Sequence, residues 1–112
     1  MNIFSLLLKF ISLILGISDM QSFPPPLSAK EEQELFSKMK GGDKSARGRL
    51  IEHNLRLVSH IIRKYYSSHP SPDELLSIGS LGLIKAVDSY RPEAGVRFAT
   101  YGAKCVQNAI LS

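Results

Sequence analysis

Residues 98–111, FATYGAKCVQNAIL, interleave aromatic, small, polar and basic side chains along what reads as the front half of a helix. Phe98 and Tyr101 are three apart, a spacing that lets them share a helix face, with Arg91, Arg97 and Lys104 around them and the Thr100 hydroxyl between. Other chemistry-bearing residues are sparse. His53 and His60 are seven apart on one helix, whereas helical metal ligation usually takes an i, i+4 pair with a carboxylate nearby, so with His69 they read as surface or boundary residues. Asp73 and Glu74 are adjacent, which splays them about 100° apart on a helix and suits a helix N-terminus better than an acid–base pair. Cys105 is the only cysteine, so no intramolecular disulfide or Cys/His zinc site can form, and a small hydrophobe on its helix is the preferred reading. No phosphate-binding glycine loop, nucleophile elbow or Cys–His arrangement is present. The expectation is a protein that is not an enzyme, with no metal, no cofactor and no small-molecule substrate.

The elements that must position these residues read as helices throughout. The chain has 112 residues, enough for one domain, and a formal charge of +4 that suits a polyanionic partner or an anionic membrane surface without deciding between them. Ser28 with Glu31 forms a capping box for a first helix running to about Lys40, where Gly41 and Gly42 end it. Asp43 can cap a second, continuous helix whose Leu50, Ile51, Leu55, Val58, Ile61, Ile62 and Tyr65 face a core, with Arg47, Arg49, Arg56, Arg63 and Lys64 mostly off that stripe. Ser71, Pro72 and Glu74 supply N-cap, first-turn proline and capping-box acid for a third helix. That helix is expected to bury Leu75, Leu76, Ile78, Leu81, Leu83, Ile84 and Val87, with Gly79 and Gly82 admitting a close neighbour. After the loop DSYRPEAGVR a fourth helix begins near Phe98 or Ala99, and no segment has strand periodicity.

The N-terminus differs in kind. Residues 3–17, IFSLLLKFISLILGI, are nearly all apolar with Lys9 as the one charge, and they fall short of the roughly 20 residues a bilayer span takes. An interfacial or re-entrant hairpin with Lys9 reaching the headgroups fits best; a secretory signal and an ordinary buried helix are the alternatives. The three prolines 24–26 then read as an extended linker, with a ligand for an aromatic groove as the lesser reading.

The stretches ARGRLIEHNLRLVSHIIRKY (46–65), DELLSIGSLGLIKAVDSYRPEAGVRFATY (73–101) and AKCVQNAIL (103–111) together resemble conserved region 2 of bacterial sigma-70-type transcription initiation factors. The resemblance implies an all-α, compact bundle of about four helices, preceded here by an apolar leader helix (1–17) and a Pro-rich linker (18–27), with the truncated region 2-like domain at 28–112. It implies a subunit that binds core RNA polymerase through the clamp helices of the largest subunit, with Asp73, Glu74, Leu75, Ser77, Ile78 and Gly79 at the contact. It also implies recognition and melting of promoter DNA at the −10 element through the non-template single strand, by Arg91, Arg97, Phe98, Thr100, Tyr101, Lys104, Gln107 and Asn108. Physics supports that assignment, because an extruded base gains roughly 1–3 kcal/mol by stacking on an aromatic face and the backbone needs nearby cations. The alternative is that Phe98 is core and only Tyr101 is exposed.

The sequence departs from the family in two places. Lys104 and Cys105 stand where housekeeping members carry two adjacent tryptophans, so wedging at the upstream bubble edge should be weaker or different. Gln107 and Asn108 fall where the family begins to read −12, and their amides can pair with adenine. The chain also stops inside the −10-reading helix, without the helix-turn-helix that reads −35. The sigma-K subfamily, sporulation factors made as membrane-associated precursors, resembles both ends: the leader becomes a pro-sequence removed by an intramembrane protease at Leu15, Gly16, Ile17 or Ser18, and Ser112 a gene junction or the end of a trimmed chain. The expected location is the cytoplasm, with membrane association of the unprocessed precursor. A membrane-tethered module that binds polymerase without opening DNA is the rival reading, and a secreted or membrane-inserted helical protein a third.

Overall fold

The computed structural model of the chain describes residues 23–112, together with the isolated residue Ile3. Among the described residues every regular element is helical: α1 (Ala29–Lys40), α2 (Lys44–Glu52), α3 (Leu55–Tyr65), α4 (Pro72–Ser89), a 3-10 turn (Pro92–Ala94) and α5 (Phe98–Leu111). The leader and the proposed cleavage residues Leu15, Gly16, Ile17 and Ser18 lie outside the described residues.

Local chemistry explains the starts. The Ser28 and Glu31 side chains each accept the other's backbone N–H at 3.1 Å, and Asp43 Oδ1 accepts from the Ser45 and Ala46 amides at 2.9 and 3.2 Å. Those bonds hold the carboxyls of Glu31 and Asp43 below their usual range, chiefly through the backbone amides of Ser28 and Ala46. Ser71 behaves otherwise: its side chain makes no cap, its own amide donates to His69 Nδ1 at 3.0 Å, and Pro72 alone marks the start of α4.

The helix expected to run unbroken from Asp43 to Tyr65 is two helices. Asn54 Nδ2 donates to the Leu50 carbonyl at 2.7 Å, so a side chain takes an acceptor the backbone would otherwise use, and the chain turns at His53–Asn54. Residues 23–27 lie across this break. Phe23 is buried in the core, Arg56 Nη2 donates to the Phe23 carbonyl at 3.1 Å, and His53 Nδ1 is 2.9 Å from the Pro25 carbonyl. The described end of the linker is therefore packed against the body and not a free spacer.

The core joins Leu35 and Phe36 of α1, Leu50 and Ile51 of α2, Leu55, Val58, Ile61 and Ile62 of α3, Leu75, Leu83, Ile84 and Val87 of α4, and Phe98 and Val106 of α5. Of the residues expected to face the core, Leu76 and Ile78 are half-buried, while Leu81 and Tyr65 are exposed at 45% and 55%. The most extensive pairing is α4 on α5, and glycine permits it. A Cβ at Gly82 would lie 2.8 Å from Ala109 Cβ and 3.0 Å from the Cys105 carbonyl oxygen, and one at Gly79 would lie 2.8 Å from Val58 Cγ1. Across the outside, Arg47 grips Asp88 in a two-pronged pair at 2.7 and 2.9 Å, tying α2 to the last turn of α4.

Candidate functional site

Two outward surfaces flank the α4–α5 contact. On α5, the 100° advance per residue places Thr100, Tyr101, Lys104, Gln107 and Asn108 within an arc of about 120°. Thr100, Lys104 and Asn108 are exposed and Tyr101 and Gln107 half-buried, while Phe98, Gly102 and Val106 form the buried side. This face is polar, carries one cation and one aromatic ring, and continues to the exposed Arg91 and Arg97 at its N-terminal end. Those are the groups that contact a phosphate backbone and stack a base.

Phe98 corrects the expectation. It is fully buried, with its ring 5.4 Å from that of Phe36 and 5.3 Å from that of Tyr90, the second contact edge-on at 86°. Phe36 and Tyr90 meet at 4.7 Å and close the cluster, so no face of Phe98 is open to a base. The reason is register: at about 60° around the helix from Tyr101, Phe98 falls on the α5 stripe that packs on the bundle. Tyr101 is the accessible ring. It leans on Tyr90 at 5.7 Å and its hydroxyl hydrogen-bonds the Ser89 hydroxyl at 2.7 Å, which orients it from beneath. The Tyr90 phenol donates to the Val96 carbonyl, and burial, followed by the nearby Glu32 carboxylate, raises its pKa.

Glu32 is the residue that motif reading missed. It is 7% exposed, and its Oε2 accepts from the Phe98 amide and from Arg97 Nε, each at 3.4 Å. A carboxylate from α1 thus serves the N-terminus of α5, which has no side-chain cap of its own. The signal was present: Glu32, Leu35, Phe36 and Met39 follow the i, i+3, i+4, i+7 spacing of an inward stripe, so a charged residue occupies a core-facing position. More than half of the Arg97 side chain remains exposed despite the contact.

On α4, Asp73, Glu74 and Ser77 are exposed and Ile78 is half-buried. Leu75 and Gly79 are buried, contrary to their expected place at a docking contact: Leu75 is in the core, and Gly79 faces Val58 and Val106. Leu81, one turn beyond Ser77, takes their place on the outward strip, an apolar side chain in a row of polar ones.

A family model for sigma-70 region 2 matches residues 50–112, more than half of the chain. The chain belongs to the sigma-70 family. It is 48% identical over 90 residues to the RNA polymerase sigma-28 factor of Bacillus thuringiensis subsp. kurstaki, a match covering 80% of this chain and 38% of that protein. It is 47% identical over 90 residues to the RNA polymerase sigma-K factor of Bacillus subtilis, covering 80% of this chain and 31% of the relative. The RNA polymerase sigma-E factor of Clostridium acetobutylicum is likewise 47% identical over 90 residues, with 80% and 38% covered. The chain therefore spans between about a third and two fifths of the length of these relatives. Among the described residues, no helix is long and apolar enough to cross a membrane, and no group of three or more His, Cys, Asp or Glu is placed to hold a metal ion.

Proposed function

We propose that this chain is the N-terminal part of a sporulation-type sigma factor that binds core RNA polymerase and recognises and melts the −10 promoter element. The outward strip of α4, Asp73, Glu74, Ser77 and Ile78 joined by Leu81, docks on the clamp helices of the largest subunit. The outward face of α5, with Arg91, Arg97, Thr100, Tyr101, Lys104, Gln107 and Asn108, takes the non-template single strand, and Tyr101 is its stacking ring. Phe98 acts beneath that face by fixing the start of α5. Residues 1–17 are a membrane-associated pro-sequence that an intramembrane protease removes between Leu15 and Ser18, which keeps the unprocessed protein inactive at the membrane and releases it to the cytoplasm.

The observation that carries this reading is the half-exposed Tyr101 on a polar, cationic helix face, oriented by Ser89 and Tyr90. The test measures two affinities on each of two variants. Tyr101→Ala is expected to weaken binding to a single-stranded −10 oligonucleotide by about 1–3 kcal/mol and leave clamp-helix binding intact. Leu81→Asp is expected to do the reverse. Equal losses in both assays would sink the assignment of separate surfaces. A second reading, a membrane-tethered polymerase-binding module that does not open DNA, draws on the burial of Phe98, which leaves that face one accessible ring. It requires Tyr101→Ala to leave oligonucleotide binding unchanged.

A further inference from the structure

One strongly charged face takes no part in the function proposed above. On α3, Arg56, His60, Arg63 and Lys64 are spaced four, three and one apart, which gathers them within an arc of about 100° on the side opposite Val58, Ile61 and Ile62. His60, Arg63 and Lys64 are exposed, and the α3 sequence LRLVSHIIRKY contains no acidic residue. At its C-terminal end Lys64 Nζ sits 5.3 Å from the ring centroid of Tyr65, which is 55% exposed. At its N-terminal end the face receives the incoming chain: Arg56 Nη2 bonds the Phe23 carbonyl, the Phe23 ring is buried, and His53 meets Pro25.

That docking fixes the place from which the preceding chain departs. Residues 18–22 alone separate Phe23 from the apolar run ending at Ile17, and five to six residues reach at most about 20 Å when extended. A bilayer holding the apolar run therefore lies within that distance of the Arg56 end of the basic face. We propose that this face of α3 is a second membrane contact, resting on anionic lipid headgroups while the leader supplies the apolar anchor. Cations near an anionic leaflet and an amphipathic ring at headgroup depth are what such a surface attracts. The proposal rests on the reading of residues 1–17 as membrane-associated and adds to it a preference for anionic lipid beyond what the single Lys9 of the leader confers. Nucleic acid has the same charge, but it gives no reason for the face to lie beside the exit of an apolar segment.

The test is flotation of the full 112-residue chain with phosphatidylcholine vesicles and with vesicles containing phosphatidylglycerol. Wild type should bind both, the anionic ones more tightly and in a salt-sensitive way. R63Q/K64Q should lose roughly fivefold per removed charge, about 25-fold in all, on anionic vesicles only. K38Q/K85Q, which removes two exposed lysines from α1 and α4, should retain the preference. Circular dichroism checks that all three are equally helical. Unchanged anionic binding of R63Q/K64Q, or an equal loss in K38Q/K85Q, overturns the proposal while the leader reading stands. A loss by R63Q/K64Q confined to an oligonucleotide overturns it and assigns the face to nucleic acid. If wild type fails to float even with phosphatidylcholine, the leader reading falls and this inference with it.

Discussion

Helices α4 and α5 pack back to back, yet their outward faces have opposite chemistry. The outer strip of α4 offers two carboxylates, a hydroxyl and the exposed Leu81, which suits a protein partner; that of α5 offers hydroxyls, amides, a lysine and a tyrosine, which suits a nucleic-acid strand. Inside, the same two helices share one close contact made of Gly79, Gly82, Val106 and Ala109. The difference teaches that the chemistry of the two outer faces is set apart from their relative orientation, which a separate, glycine-dependent seam fixes.

The sharpest way to break the comparison is within α5 itself. Phe98→Ala empties a fully buried ring site and should cost about 3–5 kcal/mol of folding stability, read as a lower urea midpoint. Tyr101→Ala, three residues away, should cost far less stability and instead lose single-strand affinity, so the two substitutions should separate cleanly. Next in size, Gly82→Val drives a branched side chain into the Ala109 Cβ and the Cys105 carbonyl and should destabilise by about 2–3 kcal/mol, lowering both binding activities together. If Gly82→Val abolished only one activity, the seam would not be common to the two faces.

The smallest effect lies outside the pair and sharpens it as a control. Asp43 and Glu31 have folded-state pKa values below their ordinary 3.8 and 4.5. Their contribution is therefore present above those values and is lost as pH falls through the depressed folded ones. An acid titration followed by circular dichroism should show this loss, and Asp43→Asn, which keeps a capping oxygen, should remove the Asp43 part. Neither surface of the α4–α5 pair should respond in that pH range through these groups.

Much of this was legible because it is local. The Ser28–Glu31 box, Asp43, the glycines after Lys40 and Pro72 each act within a turn of themselves, and the four helix starts expected from the sequence agree with the structure. What was hidden depends on who packs against whom. Apolar spacing runs straight through His53–Asn54, yet the Asn54 amide and the docked Phe23 break the helix there. Spacing also placed Leu81 inward and left Phe98 ambiguous, because a period of 3.6 fixes the direction of a stripe and not its width. The residues implied by the family resemblance included Leu75, Gly79 and Phe98, which the bundle holds inside.

The contact between Glu32 and the Phe98 amide joins residues 66 apart in the chain. During synthesis the N-terminal end is made first, so the carboxylate is already outside the ribosome when Phe98 emerges. The first turn of α5 thus meets a waiting acceptor, and it can close on a partner supplied wholly by chain made before it.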